Sequence, residues 1–166
     1  SRIAVAGHSY GANTSLLLAG AAIPGEPEAL ADPRVRAAVF ISAPPLHGVS
    51  QPERALAAIR VPSLHITATE DVIKVPGYHS TAAERIALFQ ATGSALKRLV
   101  VFQGGSHSVF TDRSGTGGVL ANPRIKQATK EVLAEFLHGV FELGSVDHLH
   151  GWSQRHQSLL AHWAAA

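Results

Sequence analysis

The chain has 166 residues, 46% of them apolar and 16% charged, a globular profile that excludes a disordered or fibrous chain. Lys plus Arg total 14 against 12 for Asp plus Glu, a formal +2, and no basic run marks a nucleic-acid surface. There is no cysteine, which excludes disulfide frameworks, thiolate metal sites and cysteine nucleophiles, and no apolar run is long enough for a transmembrane segment.

Methionine is also absent, even at position 1, and the chain opens directly on a strand-like run. The expectation is that residues 1–166 are the C-terminal part of one domain whose N-terminal part lies upstream. Any signal peptide would lie there too, so neither a cytoplasmic nor an exported location follows.

Arg2 to Ala6 is a short apolar run that reads as a buried strand ending at Gly7. Asn13 to Ala22 reads as a helix closed by Pro24-Gly25. Val35 to Ser42 is a second strand stopped by Pro44-Pro45, and Pro52 to Ile59 a short helix with proline in its first turn. Val61 to Thr69 is a third strand, followed by a polar loop containing Pro76-Gly77. Ser80 to Gln90 reads as a helix with Gly93 just past its end, and Lys97 to Phe102 as a fourth strand.

Gly104-Gly105 then opens a long loop to Asn122. Asn122-Pro123 starts a helix to about Leu143, in which Ile125, Val132, Leu133, Phe136, Leu137 and Val140 recur at helical spacing. Residues 144–166 read as a helical extension, with a last helix from Trp152 to Trp163 that packs on the body through Leu159, Leu160 and Trp163. Strands that are continuous apolar runs, alternating with helices, define an α/β fold: a parallel sheet flanked by helices on both faces. In such sheets reactive groups collect beyond the C-terminal strand ends.

The first strand runs into Gly7-His8-Ser9-Tyr10-Gly11 and then into a helix. This is G-x-S-x-G in its strand–turn–helix setting, where a tight, strained turn lifts the serine hydroxyl above the sheet. Gly7 and Gly11, lacking Cβ, should let strand and helix approach, and the Tyr10 N–H should face a developing oxyanion. A serine nucleophile needs a base and the base an orienting acid, in the chain order Ser, acid, His. His107 follows the fourth strand within Gly104-Gly105-Ser106-His107-Ser108, and Asp71 follows the third, with its neighbour Glu70 as the alternative.

The other histidines fit less well. His8 adjoins Ser9 and should point away from it, His65 is mid-strand, and His79 and His138 fall on or beside helices. The remaining downstream histidines lie in the extension. Asp112 comes after His107, the wrong order, and should structure its loop, with Arg113 as a partner; Asp32 precedes a strand, at the wrong sheet end.

The stretches GHSYGANTSLL, LHITATEDVIKVPGYHS and GGSHSVFTDR resemble bacterial α/β-hydrolases related to chlorophyllases, platelet-activating-factor acetylhydrolase-like esterases and dienelactone hydrolase-like proteins. The resemblance runs from the nucleophile strand to the final helices. It implies Ser9 as nucleophile, Asp71 as acid and His107 as base, in agreement with their positions. Dienelactone hydrolases proper use cysteine, which this chain lacks. The family fold has further strands before the nucleophile strand, and a loop among them gives a second oxyanion donor. The expectation is that this chain alone has half an oxyanion hole and an uncovered first strand.

The expected activity is hydrolysis of a small-molecule or lipid-like ester through an acyl-enzyme, without cofactor. Acyl transfer to another acceptor, or an impaired fragment that only binds, are the alternatives. The stretch from Ala43 to Arg60 is too short for a lid domain, so Pro44, Pro45, Leu46 and His47 should border an open site, with Tyr78, His79 and Phe110 as further candidates. His148-x-His150 lacks acidic or cysteine partners for a metal, and Thr116-Gly117-Gly118 lacks the Lys-Ser/Thr ending of a phosphate loop.

Overall fold

The computed structural model describes residues 2–23, 25, 30–112 and 123–166. Pro24, Arg113, the Thr116-Gly117-Gly118 stretch and the Asn122 cap therefore lie outside the described residues. The strands are β1 (Ile3–His8), β2 (Val35–Ile41), β3 (Ser63–Glu70), β4 (Ile73–Val75), β5 (Tyr78–Ser80), β6 (Lys97–Ser106) and β7 (Leu160–Ala165). The helices are α1 (Tyr10–Leu18), α2 (Pro52–Leu56), α3 (Ala82–Ala91), α4 (Pro123–His138) and α5 (Leu149–Arg155). The main sheet has the order β1-β2-β3-β6-β7. Its first four strands run parallel and β7 pairs antiparallel with β6.

Alternation of side chains along each strand sorts the core into two layers. Ala37 and Val39 of β2, Leu64, Ile66 and Ala68 of β3, and Val100 and Phe102 of β6 face Ile125, Ala128, Val132 and Phe136 of α4 and Leu149 and Trp152 of α5. The intervening Ala38 and Phe40 pack with α1, α2 and α3 through Ala12, Leu16, Ala55, Leu56 and Leu88. Leu99 and Val101 meet Phe89 of α3 on that same side. Helices thus cover both faces of a mostly parallel sheet, the α/β architecture expected from the run of apolar strands.

Four features differ from the sequence reading. Residues 160–165 are a strand, not the end of a helix: the Trp152–Trp163 helix stops at Arg155, a 3₁₀ turn Gln157–Leu159 intervenes, and the rest pairs with β6. Leu159, Leu160 and Trp163 still pack against the core, as expected. The polar loop after β3 is a hairpin, Ile73–Val75 against Tyr78–Ser80, turned by Pro76 and Gly77. β6 runs on through Gly104 and Gly105 to Ser106, leaving His107–Phe110 as a 3₁₀ turn instead of a glycine-rich loop. Finally, none of the β1 side chains is fully buried, because β1 lies at the end of the strand order.

Candidate active site

Strand register places the central side chains. β1 and β2 end together at the pair His8 with Ile41, and the Ser9 N–H donates to the Ile41 carbonyl at 2.9 Å. β3 and β6 end together at the pair Glu70 with Ser106, after an irregularity in the ladder. The next residues of those two strands, Asp71 and His107, are therefore brought side by side at the C-terminal edge of the sheet.

Ser9 has φ 57° and ψ −126°, a strained conformation for a residue with a side chain. Its cause is the closeness of strand and helix. A Cβ on Gly7 would lie 2.1 Å from the Gly11 carbonyl oxygen and 2.6 Å from the Ala12 nitrogen. Gly11, by contrast, has open space where its Cβ would be, so only the first glycine of the pentapeptide is sterically required. The Ser9 carbonyl accepts the N–H groups of Ala12 and Asn13, which leaves those of Tyr10 and Gly11 outside the turn's own bonds. The Tyr10 side chain is exposed.

Ser9 Oγ lies 2.9 Å from His107 Nε2, and His107 Nδ1 lies 2.8 Å from Asp71 Oδ1. Since a carboxylate can only accept, Nδ1 carries the proton toward Asp71 and Nε2 is left to accept from Ser9. The other carboxylate oxygen, Oδ2, accepts from Thr67 Oγ1 at 2.7 Å. Arg85 Nε is 3.1 Å from the same oxygen, off the line of a hydrogen bond, so that contact is ionic.

Asp71 is wholly buried, and burial alone would push its carboxyl up. The His107 hydrogen bond, the Ser42 hydroxyl, the Arg85 charge and Thr67 outweigh this and hold it below the usual carboxylate value. Ser42 Oγ contributes without a partner of full hydrogen-bond geometry. Ser42 itself sits at φ 51°, a second strained serine beside the first.

His107 is held from below as well. The His8 ring stacks on its ring with centroids 4.7 Å apart, and His8 Nε2–H donates to the His107 carbonyl at 2.9 Å. The expectation for His8 concerned Ser9 alone; the contact it makes with His107 was not foreseen. Burial pushes His8 below its ordinary imidazole value, more than the carbonyl bond restores. Gly105, at φ 87°, seats this corner: a Cβ there would lie 3.2 Å from Val109 and 3.3 Å from Ile125.

The remaining candidates are dispersed. Pro45 and Leu46 line a cavity of about 200 Å³ with Val49, Pro52, Leu56, Glu84, Ala87 and Leu88, a lining that contains none of Ser9, Asp71 and His107. His47 is exposed. Tyr78 is half-buried in the hairpin, its hydroxyl enclosed without a partner. Phe110 packs between Phe102 and His8, both at 6.3 Å between centroids, and so reaches the site through His8. His79 stands on β5, three residues before α3 begins. Asp112 pairs with Lys126 at 2.6 Å.

Sequence reasoning missed His8, Thr67 and Arg85. A signal for Arg85 existed: it precedes Leu88 by three positions and Phe89 by four, on the apolar face of α3, where a lone charge requires a buried partner.

No family model and no curated protein matches the chain. Among solved structures it is similar to the apo form of Thermogutta terrifontis esterase 2, at 18% sequence identity and a TM-score of 0.48. The match covers 80% of this chain and 55% of that one, so the chain spans about half the length of that protein. The fold assignment rests on the chain's own strand order and directions.

Proposed function

We propose that the chain carries the catalytic centre of a cofactor-independent serine hydrolase of the α/β-hydrolase type, acting on carboxylic esters. The observation that carries this reading is the unbroken relay from Ser9 Oγ through His107 to a fully buried Asp71, at 2.9 and 2.8 Å. Two hydrogen bonds in series, from a strained serine between a strand and a helix through an imidazole to a carboxylate, match what covalent acyl transfer needs.

Ser9 Oγ attacks the ester carbonyl while His107 Nε2 takes its proton. Asp71 stays ionised, holds the ring in the required tautomer and stabilises the imidazolium. The Tyr10 N–H, at the N-terminus of α1, donates to the tetrahedral oxyanion. His107 then returns the proton to the leaving alcohol, giving the acyl-enzyme. A water that gives its proton to His107 attacks the acyl carbon, and the acid leaves as Ser9 regains its hydrogen.

Hydrolysis of p-nitrophenyl acetate tests the reading. Ser9→Ala and His107→Ala should each lower the turnover of folded protein at least about 10⁴-fold. Unchanged turnover in folded Ser9→Ala would overturn it.

A further inference from the structure

Arg85 takes no part in the steps above, yet its side chain is only 3% exposed and both its terminal nitrogens are hydrogen-bonded. Nη1 donates to the Thr81 carbonyl at 2.5 Å and Nη2 to Ser80 Oγ at 3.1 Å. These bonds anchor the guanidinium to the entry of α3 and hold Nε 3.1 Å from Asp71 Oδ2. Thr67, bonding the same oxygen, already fixes the direction of the carboxylate. What Arg85 adds is charge.

We propose that Arg85 is a positioning residue that acts through Asp71: its buried positive charge offsets the carboxylate, so that the Asp71–His107 pair resists taking up a proton and keeps Ser9 supplied with a proton acceptor in mildly acidic solution. The inference rests on the hydrolase reading.

The sign is independent of where the proton sits. Whether it binds the imidazole or the carboxylate, the pair passes from one net negative charge to none, and a fixed cation on Asp71 disfavours that change in both cases. The groups facing the pair are few among the described residues. From β1 comes His8, which burial pushes below its ordinary imidazole value, and from the turn after it Ser9, uncharged. From β3 comes Thr67, after β2 Ser42, and from α3 Arg85. His65, which shares a small internal cavity with Thr67 and Arg85, is enclosed and neutral. Nothing among these substitutes for the Arg85 charge.

The test is the rate of serine labelling by a fluorophosphonate from pH 5 to 8 on the full chain. Wild type, Arg85→Gln and Arg85→Lys are compared, with folding checked by circular dichroism at each pH. Arg85→Gln should move the acid limb of the profile up by about one pH unit or more, while Arg85→Lys, keeping the charge, should hold it near the wild-type position. A Gln variant with a lowered plateau and an unmoved limb would make Arg85 merely structural and overturn the inference. Should the Gln variant not fold, Arg85→Met, also uncharged and of similar length, takes its place: a limb raised by about a unit supports the role of charge and an unmoved limb refutes it. Ser9→Ala separates the two levels. Persistent labelling in that variant sinks the hydrolase reading, whereas labelling lost in Ser9→Ala with an unmoved Arg85→Gln limb sinks only the role of Arg85.

Discussion

The two glycines of the pentapeptide should respond to the same substitution with opposite signs. In Gly7→Ala the new Cβ would meet the Gly11 carbonyl at 2.1 Å from oxygen and 2.2 Å from carbon, and Ala12 nitrogen at 2.6 Å. All three are backbone atoms, so no side chain can swing away. The first turn of α1 would have to retreat by more than about 1 Å to reach ordinary contact. That movement would pull Ala12 and Leu16, both 0% exposed, off Phe40 and its neighbours. The expected cost is at least about 3 kcal/mol. In Gly11→Ala the Cβ meets nothing within 4 Å, and the position lies inside α1. There alanine should gain about 0.5–1 kcal/mol by lowering unfolded-chain entropy. Urea unfolding followed by far-UV circular dichroism measures both, with the slope checked for constancy. A Gly7→Ala protein within about 1 kcal/mol of wild type would refute the close approach of strand and helix. So would a Gly11→Ala protein destabilised as much as Gly7→Ala.

His65 is enclosed between Phe40 and Phe89, and burial pushes it down to about 3. The unfolded chain therefore binds its proton first as pH falls, so stability is full above about pH 6.5 and is lost progressively toward pH 3, by up to about 4 kcal/mol; His65→Leu should flatten the melting temperature across that window, and an equally steep decline would contradict it. Phe136→Ala removes a 0% exposed ring from beneath the sheet and should cost about 3–5 kcal/mol by urea unfolding. Glu84→Ala deletes the carboxylate that accepts the Thr81 N–H at 2.6 Å and should cost about 1 kcal/mol, read as a fall in the unfolding midpoint at constant slope.

The parallel sheet was legible because its strands are continuous apolar runs, and the relay was legible because chain order and strand ends constrain it. Ser9 stands out through its pentapeptide, and Asp71 and His107 through following the third and fourth strands; the structure extends those strands to Glu70 and Ser106, so that paired strand ends deliver both residues. β7 was hidden for the opposite reason. LAHWAA has helix-favouring alanines and apolar residues at helical spacing, and only its pairing with the exposed side of β6 makes it a strand. Three-residue β4 and β5 are too short for a period to register. His8 reaches His107, and Arg85 reaches Asp71, from other elements of the fold, and tertiary neighbours leave little mark on local sequence; Thr67 is four residues before Asp71 on β3, but a threonine in an apolar strand reads as an ordinary strand former. Pro45 and Leu46 were placed by proximity to a strand end, but the chain turns there into a separate apolar cavity against α2 and α3.

The most direct measurement is to treat folded protein with a fluorophosphonate and map the adduct by mass spectrometry of its peptides. One adduct on Ser9 is expected, absent from Ser9→Ala and formed at least about 10³-fold more slowly in His107→Ala. Folded protein that takes up no probe, or takes it up on another residue, would contradict a nucleophilic Ser9 served by His107 and Asp71.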